Sequence, residues 1–327
     1  MIERTSQPNH QTPPKWKQRL GYLGGLVLGT VFLVGAVSKA ADPLAFREQI
    51  HVEGLDTFLP GGWVVLIALA LEFGLGTALI LGIRRLWVLV PSALLVVLFV
   101  AITGRSYWNY AQGIVDESVS CGCFGNLVDR TPSEAFWQDL LLMVPALMVA
   151  FIGRPKSSLT TARTAVTALV TIAGVVFSWR APELPLDDIA TRLKPGKAAE
   201  EICAGNVEHR ICLATVVPEL AEGDHVVILA DLSSQAFGEA VQGLNQYYLQ
   251  GEGPMLWVLS SSSPEESHRF FWQWAPTFQV QEAPPALLRP LYRKLPRSFM
   301  VTDGTITRTF SGLPPLESVI SNYNGGL

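Results

Sequence analysis

Apolar and polar positions divide the chain into two parts. The first 180 positions carry long apolar runs with short polar connections, whereas the remaining residues carry apolar runs of only a few positions. A helix that crosses a bilayer needs roughly 20 mainly apolar residues. Five runs reach or approach this length, and we expect each to be a membrane-spanning helix: Leu20–Ser38, Gly61–Ile83, Leu86–Thr103, Phe136–Ile152 and Ala162–Trp179.

The second part alternates short buried-strand patterns with helical spacing. Such alternation, ending in a hairpin with an Asp-Gly turn at Asp303-Gly304, predicts a small α/β domain. The predicted strands are Val226–Ala230, Met255–Leu259, Phe278–Val280, Phe299–Thr302 and Thr305–Phe310. The predicted helices are Ser234–Leu249, a helix starting at Pro264 behind the cap Ser263, and Pro315–Asn322, with Ala286–Lys294 continuing the alternation.

Composition supports a membrane protein. Of the 327 residues, 49% are hydrophobic and only 16% are charged, and the mean hydropathy is +0.30. The lipid bilayer is therefore a predicted partner. The formal net charge of −4 is modest for this length and gives no reason to propose nucleic acid as a partner.

The distribution of basic residues predicts the orientation, because cytoplasmic connections are enriched in Lys and Arg. Nine basic residues fall on one side, namely Arg4, Lys15, Lys17, Arg19, Arg84, Arg85, Arg154, Lys156 and Arg163. Five fall on the other, namely Lys39, Arg47, Arg105, Arg130 and Arg180. We expect a multi-pass protein of the inner (cytoplasmic) membrane with a cytoplasmic N-terminus. An odd number of spans then places the C-terminal domain on the extracytoplasmic side.

The first span could alternatively be a signal peptide, since Ser38-Lys39-Ala40 loosely fits a cleavage site. Its apolar run is longer than a usual signal-peptide core, which favours an uncleaved helix.

The predicted domains are a cytoplasmic tail over 1–19, a four-helix membrane domain over 20–155, a fifth helix over 160–180, a linker rich in Pro, Asp and Lys over 181–199, and an outer domain over 200–327.

Four cysteines form two close pairs. Cys121 and Cys123 lie in a Cys-Gly-Cys-Phe-Gly loop between the third and fourth spans, and Cys203 and Cys212 lie in the C-terminal part. The predicted topology places all four on the side where disulfides persist. A bond between Cys121 and Cys123 would close a very small, strained ring and would be easily reduced, which suits catalysis or relay. The alternative is two loop cysteines that pack or stay reduced.

Cys203 and Cys212 flank eight residues that could form a hairpin with the sulfurs opposed. Two interpretations stay open, a redox-active pair and a structural staple worth roughly 2–3 kcal/mol. The spacings are not those of usual zinc sites, so we predict no metal site.

Glu72 lies near the middle of the second predicted span. A carboxyl group there is costly to ionise, which makes it a functional candidate. It could be a neutral acid, a proton carrier or an anchor for Lys39; the structural alternative is a hydrogen bond between helices.

Two stretches of the N-terminal part resemble known membrane families. Gly35-Ala-Val-Ser-Lys-Ala-Ala-Asp-Pro-Leu-Ala-Phe46 and Glu72-Phe-Gly-Leu-Gly resemble the DoxX-like superfamily. The Cys-Gly-Cys-Phe-Gly loop is similar to that of the MauE family of methylamine-utilisation membrane proteins. The resemblance covers about residues 18–155 and implies a four-helix core, to which a fifth helix is added. It also implies a role in maturation of methylamine dehydrogenase.

The C-terminal part resembles the thioredoxin fold over about residues 222–327. Leu295-Pro296-Arg-Ser-Phe-Met-Val-Thr-Asp-Gly304 is similar to its cis-proline strand and following hairpin. The resemblance implies a cis peptide bond before Pro296 and a CxxC site near Asp231–Phe237. No cysteine is present there, so we expect a thioredoxin-like domain without its own CxxC site.

Two classes of function follow. The first is a membrane thiol–disulfide oxidoreductase or electron relay, using Cys121, Cys123, Cys203 and Cys212 on an extracytoplasmic client or thiol–disulfide partner. Its layout is similar to that of vitamin K epoxide reductase-type proteins. No cofactor is certain, and a lipid-soluble quinone is one candidate acceptor. The second class is a non-catalytic maturation factor that holds an extracytoplasmic redox protein during assembly.

Overall fold

Five helices long and apolar enough to cross a membrane occur in the described part of the chain. The computed structural model describes residues 14–57, 59–113, 130–152, 161–204 and 210–324. The five helices are Lys15–Ala41 (α1), Gly61–Ile80 (α3), Leu86–Ala111 (α4), Pro132–Ile152 (α5) and Thr161–Arg180 (α6). The five predicted helices are thereby confirmed. A short helix that the sequence analysis did not predict, Pro43–Val52 (α2), follows α1 and is capped by Asp42, whose side chain accepts a hydrogen bond from the Ala45 amide.

The first helix is central to the N-terminal unit, which ends at Ala181. It packs against α3, α5 and α6, while α4 packs on α5. Glycines permit the close approach of α1 and α3: a Cβ atom at Gly29 would lie 2.7 Å from the carbonyl oxygen of Gly76. Small residues at such contacts are typical of membrane helices, because they let the backbones come together.

The C-terminal unit begins at Pro182 and contains a five-stranded sheet. Its strands are Asp224–Leu229 (β3), Met255–Ser260 (β4), Gln279–Glu282 (β5), Arg297–Thr302 (β6) and Thr305–Phe310 (β7). Their order in the sheet is β5-β4-β3-β6-β7. Strands β3, β4 and β5 are parallel, and β6 and β7 run antiparallel to their neighbours. A separate hairpin precedes them, formed by Cys203–Ala204 (β1) and Ile211–Cys212 (β2).

Helices cover one face of the sheet. They are Gln235–Gln250 (α9), Pro264–Trp274 (α10) and Leu316–Asn324 (α12). Val226, Ile228 and Val258 pack against Phe237 and Phe270 on this face. The remaining helices are single turns: Asp187–Ala190 (α7), Leu213–Val216 (α8) and Pro285–Leu288 (α11).

The segment before the sheet covers its other face. Leu193, Ala199, Leu213 and Leu220 are buried there in one core with Phe299 and other strand residues. Residues 182–199 are therefore part of the folded domain, where the sequence analysis expected a linker. The physical reason is that a few apolar side chains among polar residues suffice to bury a short segment, although the segment is polar on average.

Local signals in the α/β domain agree with the structure. Ser263 and Glu266 form a reciprocal capping box at the start of α10. Asp303 and Gly304 both have positive φ, 47° and 75°, as the tight turn between β6 and β7 requires. The Leu295–Pro296 peptide bond is cis, as expected from the resemblance. With the strand order and the flanking helices, these features define a thioredoxin-like fold.

Candidate functional sites in the two units

A disulfide joins the two strands of the β1–β2 hairpin. Cys203 and Cys212 are direct partners in the antiparallel pair, and their sulfur atoms are 2.02 Å apart. The predicted hairpin with opposed sulfurs is confirmed. Both cysteines are partly exposed. The bond can therefore act as a staple across the hairpin, and its partial exposure is also what exchange with an incoming thiolate requires.

Hydrophobic side chains hold this hairpin on the sheet. Ile202 precedes β1 and Leu213 follows β2; both are buried, and the Leu213 amide donates a hydrogen bond to the Ile202 carbonyl oxygen over 2.8 Å. They share a core with Leu287 and Leu288 of α11. The cysteines thus occupy a fixed place at the border of the core.

Hydroxyl and carboxylate groups occupy the position where a thioredoxin-like fold carries its CxxC pair. After β3, Ser233 donates to Asp231 Oδ1 through its amide (2.9 Å) and its hydroxyl (2.7 Å). Ser234 caps α9 by accepting from the Phe237 amide. Ser262 accepts from the Leu232 amide over 3.2 Å. No thiol is present at residues 231–234, so thiol–disulfide chemistry at this position has no nucleophile.

An arginine directly after the cis-proline ties the preceding segment to the sheet. Arg297 is only 1% exposed and donates to Thr191 Oγ1 (2.9 Å) and Asp188 Oδ1 (3.0 Å). Burial lowers the pKa of its guanidinium group, and the nearby Asp187 and Asp188 carboxylates oppose this effect. These contacts hold the segment around Asp188 and Thr191 against strand β6.

Glu72 forms a buried ion pair in the N-terminal unit. Its Oε1 atom lies 2.5 Å from Nζ of Lys39 on α1, and the two side chains are 1% and 2% exposed. The Lys39 ammonium also lies 4.7 Å from the ring centroid of Phe99 and 5.2 Å from that of Phe46. Cation–π contacts of this kind help to compensate a desolvated charge. The sequence analysis raised an anchor for Lys39 as one possible role of Glu72, and the structure shows this contact. The same contact links α1 to α3.

A second buried ion pair lies at α5. Arg130 Nη1 donates to Asp139 Oδ1 over 3.1 Å, and the side chains are 8% and 3% exposed. Asp139 and the Lys39–Glu72 pair line one small cavity with Phe32 and Met143. The two ion pairs together bury two cations and two carboxylates in the N-terminal unit.

An apolar cavity of about 90 Å³ adjoins the Lys39–Glu72 pair. Its residues come from α1 to α4 and the connections between them. The apolar ones include Phe46, Ile50, Val64, Ala68, Leu95, Leu98, Phe99 and Ile102, and the polar ones are Lys39, Gln49, Glu53 and Glu72. Apolar walls with a few convergent polar groups are the kind of lining that small-molecule sites have, and a volume of about 90 Å³ suits a small group rather than a drug-sized ligand.

Of the three predicted site residues that the structure describes, Cys203 and Cys212 are joined. Glu72 belongs to the other unit, and Cys121 and Cys123 lie outside the described residues. The sequence analysis missed Asp139 and its partner Arg130. The signal was present, because Asp139 is a carboxylate inside the fourth predicted span, the same feature that singled out Glu72.

These features define a membrane protein that carries a thioredoxin-like domain with a disulfide. Residues 17–152 match the protein family described as "Methylamine utilisation protein MauE". This confirms the MauE resemblance of the membrane part; the finer resemblance to DoxX-like proteins stays an expectation. No curated protein matches the sequence.

Three bacterial proteins of known structure are similar to this chain. A Chlorobium tepidum protein described as a thiol:disulfide interchange protein DsbE is 16% identical, covers 40% of this chain and 98% of its own, and has a TM-score of 0.32. The thioredoxin domain of a thiol-disulfide oxidoreductase from Bacteroides vulgatus is 10% identical over 41% of this chain and 98% of its own, with a TM-score of 0.32. A thioredoxin-like protein from Bacteroides caccae is 10% identical, with 100% coverage of both chains and a TM-score of 0.30.

Proposed function

We propose that this chain is a membrane-anchored thiol–disulfide exchange protein that acts on an extracytoplasmic protein partner. The observation that carries the proposal is the Cys203–Cys212 disulfide, partly exposed on a thioredoxin-like domain whose usual cysteine position lacks a thiol. Membrane helices that match the MauE family support the anchoring.

In the proposed exchange, Cys121 and Cys123 are the second thiol pair. A thiolate of this pair attacks one sulfur of the Cys203–Cys212 bond, which breaks and releases the other cysteine as a thiolate. The second thiol of the pair then attacks the mixed disulfide. One pair ends oxidised and the other reduced, so two electrons and two protons are redistributed without an external reagent.

A non-catalytic maturation factor is the second candidate. The observation that favours it is the placement of the disulfide across two adjacent strands beside a buried core, as a staple would be. The domain would then hold an extracytoplasmic redox protein during assembly, and the description of the matched family would place that client in methylamine utilisation.

Thiol trapping in membranes separates the two. We expect Cys123→Ser to leave Cys121 unpaired and to accumulate a reductant-sensitive species with Cys203, Cys212 or a client, detectable by gel shift and peptide mass spectrometry. Cys121→Ser/Cys123→Ser is the matched control and should lose this species.

The double variant Cys203→Ser/Cys212→Ser distinguishes relay from staple. A relay predicts that the Cys121/Cys123 pair no longer changes redox state with the partner, while thermal stability changes little. A staple predicts a loss of roughly 2–3 kcal/mol in unfolding free energy, with the redox state of Cys121 and Cys123 unaffected. Full function of Cys121→Ser/Cys123→Ser would overturn the exchange proposal in favour of the maturation factor.

A further inference from the structure

We propose that the cavity beside Lys39 and Glu72 binds the ring of a lipid-soluble quinone. The proposal names the class of electron acceptor for the exchange reaction and therefore rests on the proposed function. Three features of the cavity support quinone binding: its polar floor, its walls and its border with the outer surface of the helices.

The polar floor of the cavity places one donor group, the Lys39 ammonium, beside one acceptor group, the Glu72 carboxylate. The Lys39 ammonium has three N–H donors, of which one is directed at Glu72 Oε1. Glu72 Oε2 is buried and has no hydrogen-bond partner within the described ranges. A quinone carbonyl oxygen can accept from Lys39, and the hydroxyl group of the reduced ring can donate to Glu72. Satisfying the buried Glu72 acceptor favours the reduced ring, because a quinone has no hydroxyl group to donate and leaving the acceptor unpaired is costly.

The walls of the cavity are made of aromatic and aliphatic side chains. Phe46 and Phe99 flank the ammonium group and also line the cavity, with Ile50, Leu95 and other aliphatic side chains around them. A charged or strongly polar solute would lose its hydration there without replacement partners. The floor and walls together favour an uncharged ring with carbonyl groups.

The rim leads to the apolar outer surface of the helices. Leu55 and Leu98 line the cavity and are 38% and 42% exposed. A volume of about 90 Å³ has no room for a long isoprenoid tail. The tail would therefore leave past this rim into the lipid, as expected for a ligand that diffuses within the bilayer.

The overall redox reaction balances. A dithiol loses two electrons and two protons as its S–S bond forms, and the quinone gains both as its two carbonyl groups become hydroxyl groups. In this scheme, Lys39 and Glu72 position the ring by hydrogen bonding and are positioning residues.

The test uses the full-length protein in lipid nanodiscs and a short-tailed ubiquinone analogue. Binding is measured by titration, and an azidoquinone photolabel is mapped by peptide mass spectrometry. We expect labelling on peptides that contain Phe46 or Phe99. Ala68→Phe, which places a ring in the cavity, should weaken binding by about tenfold or more, which corresponds to about 1.4 kcal/mol. Ala101→Phe, on the exposed side of α4, is the matched control and should bind as the wild type does.

A second comparison tests the polar floor. Lys39→Met/Glu72→Leu removes both charges together and should weaken quinone binding by about tenfold, with little effect on an analogue that has the same tail and a benzene ring without carbonyl groups. Equal affinity of the wild type for the two compounds would mean an acyl-chain cavity and would overturn the proposal. So would unchanged binding by Ala68→Phe, or labelling elsewhere. Because thiol trapping can still reveal exchange when no quinone binds, failure here is distinguishable from failure of the proposed function.

Discussion

At the scale of single residues, the buried Lys39–Glu72 pair poses the sharpest energetic question. Desolvating two charges costs several kcal/mol per ion. The ion pair between Lys39 and Glu72, with the nearby rings of Phe46 and Phe99, offsets this cost only while both charged partners are present. An apolar pair of similar size would avoid the cost altogether. Retention of the charges is therefore more readily explained by a function than by stability.

This argument predicts a strongly non-additive pair of substitutions. Lys39→Met alone leaves a buried carboxylate without its cation and should destabilise the protein by about 3 kcal/mol. Lys39→Met/Glu72→Leu should recover most of that loss. The measurement is thermal unfolding of the full chain in nanodiscs, with Glu72→Leu completing the double-mutant cycle. Additive effects would show that the two side chains do not depend on each other.

Tyr247 gives a pH-dependent prediction. Its hydroxyl group donates to the Pro254 carbonyl oxygen over 2.8 Å and the residue is 5% exposed. Burial, with a smaller contribution from Tyr323, raises the pKa of Tyr247 from 10.0 to about 12. The folded state therefore keeps the proton at a pH where the unfolded state has lost it. The stabilisation is complete below pH 10 and is lost as the pH rises to about 12.

The predicted loss is about 2–3 kcal/mol across this window, since one pKa unit corresponds to 1.36 kcal/mol. Absorbance titration of tyrosinate should show a late component that disappears in Tyr247→Phe and persists in the control Tyr248→Phe. If the late component survived in Tyr247→Phe, another tyrosine would have to be responsible.

At the scale of elements, glycines decide how closely the membrane helices pack. Gly29 on α1 faces Gly76 on α3, and a Cβ atom at Gly29 would also lie 2.9 Å from Ile80 Cγ1. Real Cβ atoms do not approach a carbonyl oxygen as closely as the 2.7 Å found there. The contact of α1 with α3 also supports the Lys39–Glu72 pair, because the two residues lie on these helices.

Gly29→Ala should therefore destabilise the helix bundle, although alanine is the better helix former by about 1 kcal/mol. Gly62→Ala is the matched control, since a Cβ atom at this α3 position meets nothing within 4 Å. Thermal unfolding in nanodiscs should show a lowered midpoint for Gly29→Ala and an unchanged or raised midpoint for Gly62→Ala. Equal effects would mean that α1 and α3 can separate slightly at no cost.

At the scale of the whole molecule, the burial of basic residues bears on the predicted orientation in the membrane. Lys39, Arg84 and Arg130 are buried, so none of them counts as an exposed basic residue of a connection. The predicted asymmetry changes from nine against five to eight against three, which strengthens the expectation of a cytoplasmic N-terminus.

A reporter fused after Leu327 tests this orientation. Alkaline phosphatase should be active there, because it folds only where disulfides form, and a cytoplasmic reporter at the same position should be inactive. A fusion in the connection after Ile152 is the control and should give the opposite pattern. The reverse result would remove the shared compartment that thiol exchange requires.

Much of the fold could be predicted because its signals are local. Apolar run length marks the five spans, and the spacing of apolar residues marks α9 and the strands. Ser263 with Glu266 caps α10, and Asp303-Gly304 turns the hairpin. The separation of Cys203 and Cys212 also allowed a hairpin with opposed sulfurs. Each of these depends on residues close together in the chain, which a single sequence displays directly.

Only the tertiary structure decided which distant residues meet. Lys39 and Glu72 are 33 positions apart, and Arg297 meets Asp188 across 109 positions. No periodic pattern records such pairs, since they arise from how whole helices and strands pack. For the same reason, the cavity at Lys39 and the burial of residues 182–199 against the sheet were absent from the sequence analysis. The sequence by itself determined the five long helices, the strands of the sheet and the unusual position of Glu72 inside a span, and packing determined which residues meet.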